Sequence, residues 1–166
     1  MVLTGHYEHQ IDSKLRLAIP SELRRQLQRA LGTAEGESIA LYASLSDRPG
    51  VVCLYTEPML DQRARELDQS SMDPDELEAY VEAFFSMVRS CELDKQGRVR
   101  LPTDLLEQAG LPANGKLAVL GVRDHIQLRD AGAWKKHLAE LRTKRPELLM
   151  NPRKAMRAKP NTPDAG

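Results

Sequence analysis

Aromatic side chains are scarce in this chain: two Phe, four Tyr and one Trp among 166 residues, 4% of the total. With 41% apolar residues, it can bury a modest core or two small ones, but no large one. Cysteine is nearly absent. Cys53 and Cys91 sit in apolar, strand-like contexts without a ligand-spaced partner, so buried reduced thiols are expected rather than a disulfide or a metal site. No apolar run approaches the ~20 residues of a membrane span, and the N-terminus carries no signal-peptide pattern, so a cytoplasmic protein without a membrane partner is expected. His6, His9, His125 and His137 lack the His-x-x-x-His spacing of a metal helix. Neither a Gly-rich phosphate loop nor a Ser nucleophile motif occurs, so an enzyme is not expected, and neither a cofactor nor a metal is assigned.

Net charge is absent as well, but only in sum. Residues 57–92 carry three basic and ten acidic side chains, whereas residues 130–166 carry nine basic and four acidic. An acidic middle between neutral and basic ends allows a nucleic-acid-facing side despite an unremarkable pI. A charged helix pair followed by a solubilising tail explains the same partition.

What the chain does have is one statement made twice. Ile11-Asp12-Ser13-Lys14-Leu15-Arg16-Leu17-Ala18-Ile19-Pro20-Ser21-Glu22-Leu23 recurs, 82 positions later, as Leu93-Asp94-Lys95-Gln96-Gly97-Arg98-Val99-Arg100-Leu101-Pro102-Thr103-Asp104-Leu105. A fixed-register repeat signals one supersecondary unit used twice, so any surface it forms is presented at least twice. Each copy reads as turn, short strand and helix start. Asp94 opens a type I turn and Gly97 closes it in the left-handed region that a three-residue hairpin loop uses. Arg98-Val99-Arg100-Leu101 alternates like a half-buried strand. Pro102 ends the ladder, Thr103 is the candidate N-cap, and Asp104 suits the first helical turn. Lys95 and Gln96 then stand at a hairpin tip with Arg98 just inside it. The first copy has Leu15 in place of the glycine, so its turn is expected to be shaped differently or strained.

Around these turns the expected organisation is a first repeat over 5–56, a helical connector over 57–89, a second repeat over 90–133, a C-terminal helix over 134–148 and a disordered basic tail over 149–166. Strands are expected at Ser38–Tyr42, Val51–Tyr55, Lys116–Leu120 and His125–Leu128. Connector helices should open at Glu57-Pro58 and after Asp73-Pro74. The second places Leu77, Tyr80, Val81, Phe84, Phe85 and Val88 on one broad face, which reads as core or as a contact between protomers. Trp134, Leu138 and Leu141 mark the C-terminal helix.

The paired Asp-x-x-x-Arg-hydrophobic-x-hydrophobic-Pro motifs, their separation and the run from Cys91 to Arg98 resemble the MraZ family of bacterial transcriptional regulators. The resemblance implies an α+β fold: two tandem swapped-hairpin, AbrB-like (SpoVT-AbrB) repeats forming a double-psi-type barrel. It further implies a nucleoid-associated DNA-binding regulator of repressor type. Such a protein acts on division and cell-wall genes, including its own promoter, and assembles as a ring-like homo-oligomer on repeats in double-stranded DNA. Matched residue by residue, the DNA-binding positions fall on Lys14, Arg16, Lys95 and Arg98. Asp12, Asp94 and Gly97 are turn-formers; for the two aspartates, a carboxylate facing phosphate is repelled. Read from the residues alone, Arg16 and Arg98 serve equally well as salt-bridge partners of their own turn aspartates, and the resemblance favours DNA contact. The runner-up is an antitoxin-like AbrB module that captures a partner protein.

Overall fold

The computed structural model describes residues 2–150. The chain divides into two compact units, one through Ala131 and one from Gly132 onward. In the first unit the order of elements is β1 (Leu3–Gln10), β2 (Arg16–Ala18), α1 (Ser21–Leu31), β3 (Ile39–Leu45), β4 (Val51–Tyr55), α2 (Glu57–Asp68), α3 (Pro74–Met87), β5 (Arg89–Leu93), β6 (Arg98–Arg100), α4 (Thr103–Gln108), β7 (Lys116–Arg123) and β8 (His125–Asp130). Helix α5 (Ala131–Lys144), carrying Trp134, Leu138 and Leu141, runs into the second unit and stops before Pro146; α6 (Glu147–Met150) follows. Of the basic tail expected over 149–166, residues 149 and 150 end helix α6 and the rest lies outside the described residues. No described helix is long and apolar enough to cross a membrane.

All described strands join one antiparallel, eight-stranded sheet in the order β1-β7-β8-β4-β3-β5-β6-β2. The fold is α+β: a nearly closed barrel in which the two repeats interleave instead of folding side by side. β1 pairs along its whole length with β7, more than a hundred residues downstream, from Leu3↔Arg123 to Gln10↔Lys116. β3 takes β5 as a second neighbour, from Ile39↔Leu93 to Ala43↔Arg89. Gly121 makes the closest of these approaches possible, since a Cβ there would stand 2.5 Å from the Thr4 backbone nitrogen. Alternate residues of both repeats, among them Leu17, Val99, Leu117, Ile126 and Leu128, fill one core cluster.

The sheet's two outer strands, β1 and β2, are bridged by side chains. His9 Nδ1 lies 2.6 Å from the Ala18 carbonyl oxygen; a carbonyl only accepts, so Nδ1 carries the proton. The Gln26 amide from α1 accepts from the Thr4 N–H at 3.0 Å and donates to the Thr4 carbonyl at 3.4 Å, standing in for a missing strand partner.

Both thiols are free, Cys53 buried and Cys91 partly so. Burial pushes the Cys53 thiol up and the Cys91 thiol up to about 11, which keeps both protonated and unreactive near neutral pH.

Helix starts differ from expectation in one detail. Pro102 and Pro20, not the hydroxyl residues after them, hold the N-cap positions, with neither side-chain cap hydrogen bond. Their fixed φ and extended ψ suit the cap, and each carbonyl accepts the first helical bond, from Leu106 N–H at 3.2 Å and from Arg24 N–H at 3.0 Å. Thr103 is thus the first helical residue. Asp104 in that turn pairs with Arg89 at 3.1 Å. At α3, Asp73 caps as its type suggests, its carboxylate accepting from the Asp75 N–H at 3.0 Å.

The apolar stripe of α3 is only partly covered. None of its residues is fully buried, although Phe84 packs on the core cluster. Tyr80 stacks on Phe84 with centroids 6.0 Å apart, Phe85 meets Phe84 edge-on at 5.0 Å, and the Arg63 guanidinium lies 5.8 Å from the Phe84 ring centre.

Candidate nucleic-acid interface

Each repeat's turn is locked by its aspartate in the same way. In the first, the Leu15 N–H donates to the Asp12 carbonyl at 3.0 Å, and the N–H groups of Lys14 and Arg16 both donate to Asp12 Oδ1 at 2.9 Å. In the second, Gly97 N–H donates to the Asp94 carbonyl at 2.9 Å, and Gln96 and Arg98 N–H donate to Asp94 Oδ1 at 2.9 Å. The backbone N–H of Arg16 is the chief reason the Asp12 carboxyl sits below its ordinary pKa; that of Arg98 plays the same part for Asp94. The first turn therefore keeps the shape of the second and is strained: Leu15 has φ +60° where Gly97 has +78°.

The second carboxylate oxygen holds the arginine. Arg16 Nε lies 2.8 Å from Asp12 Oδ2, while Arg98 Nε and Nη2 lie 3.3 Å from Asp94 Oδ2. Of five guanidinium N–H donors, the Asp12 pair engages the one on Nε, so the terminal amino groups of Arg16 are not part of it. The arginine side chains are about one-third exposed, 33% and 34%. Lys14 and Lys95 stand exposed at the tips.

Strands β2 and β6 pair with each other as Arg16↔Arg100, Leu17↔Val99 and Ala18↔Arg98. Flanking bonds from Ile19 N–H to Gly97 O and from Leu101 N–H to Leu15 O, both 2.9 Å, extend this ribbon symmetrically. The two turns thus stand at opposite ends of one short ribbon. Leu17 and Val99 are wholly buried, so Arg16, Arg98 and Arg100 share its outward face. All four positions expected to bind DNA come together on this ribbon and its ends. Arg100 was missed by sequence reasoning. Its like charge directly opposite Arg16 opposes pairing unless an anion lies between. The alternation Arg98-Val99-Arg100 could have flagged it, but the facing Arg16 could not be known without the register. Among the described residues no group of three or more His, Cys, Asp or Glu is placed to hold a metal ion.

An eight-stranded barrel of two interleaved, Asp-locked hairpin repeats defines a swapped-hairpin protein of the AbrB-like class. Residues 84–149 match the family model described as "MraZ protein" and classed there as antitoxin-like. Relatives named "Transcriptional regulator MraZ" include that of Limosilactobacillus fermentum, 33% identical over 78% of this chain and 82% of the relative. That of Moorella thermoacetica is 32% identical over 82% and 86%. That of Alkaliphilus oremlandii is 30% identical over 80% and 84%. The chain belongs to the MraZ family.

Proposed function

We propose that this chain is a DNA-binding transcriptional regulator, not an enzyme, and that it reads double-stranded promoter DNA with the outward face of the β2–β6 ribbon. Lys14 and Lys95 meet phosphates from the tips, and Arg16 and Arg98 reach base edges, where a guanidinium can bond guanine through two donors. Asp12, Asp94 and Gly97 shape the turns and aim the arginines without touching DNA. The observation that carries this reading is the convergence of two Asp-aimed arginines and Arg100 on one exposed face, with like charges directly opposed. Regulation is of the repressor type, acts on division and cell-wall genes including the chain's own promoter, and places the protein with the nucleoid.

One ribbon gives modest affinity. Several on a ring-like homo-oligomer, engaging repeated sites, multiply it through effective concentration. The half-covered Tyr80–Phe84–Phe85 stripe supports that assembly, with a second copy as its cover. Light scattering at micromolar concentration should then show a mass well above one chain; a monomer would overturn the assembly. Phe84→Ala should lower the assembled fraction, while costing the single chain less than the ~3–5 kcal/mol of a fully buried ring.

The decisive test is binding to the DNA upstream of the chain's own gene against scrambled DNA of equal length. Equal affinity for both would refute specific readout. The antitoxin-like description of the matching family favours a second reading, capture of a partner protein, which a stoichiometric co-purifying protein would support.

A further inference from the structure

The two turns are flanked differently by the helices that follow the ribbon. The bond from Ile19 N–H to Gly97 O brings the start of α1 beside the second turn. There Arg24 Nε donates to the Ile19 carbonyl at 3.1 Å, and its guanidinium covers Gly97 so closely that a Cβ on the glycine would stand 2.5 Å from Arg24 Nη1. Arg24, Arg25 and Lys95 line an open cleft of about 590 Å³ whose only carboxylate among its lining residues is Glu35. Arg25 also reaches Glu22 at 3.4 Å, an exposed pair that competes little. The residues 82 positions away that correspond to Arg24, Arg25 and Lys95 are Leu106, Glu107 and Ser13. At those three positions the first turn therefore has no cation and one acid, and its own tip cation, Lys14, stands one position over.

We infer that the cleft beside the second turn seats a backbone phosphate of the DNA, gripped by Arg24, Arg25 and Lys95, and that the first turn lacks this anchor. The inference rests on the ribbon binding DNA. Three cations against Glu35 and the Glu22 carboxylate beside Arg25 leave the cleft with a net positive charge. A guanidinium presents two donors in the spacing of two phosphate oxygens. Arg24 is already held through Nε, so less rotamer freedom is lost when it binds. The cleft is larger than one phosphate and open, as a strand passing through it requires. Phosphate contacts carry no base information, so the anchor sets affinity and register while Arg98 sets preference.

The test compares the full chain with Arg24→Gln, Arg25→Gln and their double variant, measuring binding to cognate and scrambled DNA across a salt series, with light scattering alongside. The double variant should weaken both DNAs in parallel, roughly tenfold where a charge-assisted bond is lost. It should also reduce the slope of log affinity against log salt by ~0.9 per lost phosphate contact. Base preference and oligomer mass should stay unchanged. Arg29→Gln, on the same helix outside the cleft, should leave the slope alone; an equal loss there means diffuse charge and overturns the anchor. So does an unchanged slope in the double variant, or a fall in mass, which would assign the cleft to contact with another protein chain. If Arg24→Gln does not fold, Arg24→Lys with Arg25→Gln and Lys95→Gln carries the same test. Wild-type chain that binds without sequence preference refutes specific readout; preference kept beside an unaffected double variant refutes the anchor alone.

Discussion

The first repeat holds a leucine in a left-handed turn, and the second holds a glycine under an arginine. Around these two positions nearly everything else that shapes the turn is shared: the aspartate, its two backbone bonds at 2.9 Å, the arginine it aims, the buried apolar residue and the proline. What differs is what faces outward. The second copy offers Lys95 and Arg98 with Arg24 and Arg25 alongside, and Arg100 at the far end of its strand, opposite Arg16. The first offers Lys14, Arg16 and Ala18 with Leu106 and Glu107 at the corresponding helical positions. Leu15 and Leu106 both belong to the apolar core or its margin. One copy thus spends its helix-facing side on packing, and the other keeps it cationic. A duplicated unit preserves the residues that close its turn because backbone geometry demands them. It diverges where the surface meets solvent or a ligand.

The largest effect that separates the copies should come from their arginines. Arg98→Ala should abolish preference for cognate over scrambled DNA, each bidentate base contact being worth roughly 1–3 kcal/mol and multiplied when several protomers engage. Arg16→Ala should act in the same direction but less, since its turn has no counterpart of the Arg24 and Arg25 cleft. Thermal unfolding should barely move in either variant, because exposed ion pairs contribute little. Gel-shift affinity within about twofold of wild type for Arg98→Ala, with normal unfolding, would dismiss the ribbon as the reading surface. Arg16→Ala outweighing Arg98→Ala would reverse the ranking of the two copies.

That ranking was only partly legible in the chain. The turns, the strand after each and the helix after each proline are local events, decided within about ten residues by Asp, Gly and Pro chemistry, and they stand where the pattern puts them. The connector helices likewise begin at Glu57-Pro58 and at Pro74. The pairing of β1 with β7 and of β3 with β5 joins distant segments, and no local pattern encodes it. Arg24 and Arg100 were unreadable for the same reason. Arg24 looks like one more polar residue on an amphipathic helix until the interleaving brings it over Gly97, and Arg100 like an exposed strand residue until Arg16 lies opposite. The misplaced N-cap came from crediting Thr103 with a role that the proline's own φ and carbonyl already fill.

A smaller effect follows from exchanging the turn residues. Gly97→Leu places a side chain in the left-handed region, at a cost of ~1–2 kcal/mol, and must displace the Arg24 guanidinium. Urea unfolding should record that loss, and DNA binding should show a shallower salt dependence, since the displaced arginine leaves the cleft. Leu15→Gly relieves the corresponding strain but gives up partly buried apolar contact and adds unfolded-state entropy. Its stability should stay within about 1 kcal/mol of wild type. If Gly97→Leu proves as mild as Leu15→Gly, Arg24 yields freely and the second turn has no special need of glycine.

The smallest effect should fall on both copies alike. Asp12 and Asp94 both have carboxyls held below their ordinary value, chiefly by the backbone N–H of the arginine each one aims. A depressed carboxyl stabilises the fold at pH values above its unfolded pKa of ~3.9, and that stabilisation is lost as pH falls through the lower folded value. Stability from these two groups should therefore be constant between about pH 7 and 5 and decline only below about pH 4. Asparagine keeps an oxygen that can accept the two turn bonds but loses the attraction to the guanidinium. Asp12→Asn and Asp94→Asn should each lower the urea midpoint slightly at neutral pH and flatten the acid limb by similar amounts. Both carboxylates are substantially exposed, 39% and 43%, so solvent screens the pairs and the change stays small. A steep loss of stability between pH 6 and 5 would have to come from other groups. Unequal flattening by the two variants would mean that the copies differ in the turn itself, and not only in what flanks it.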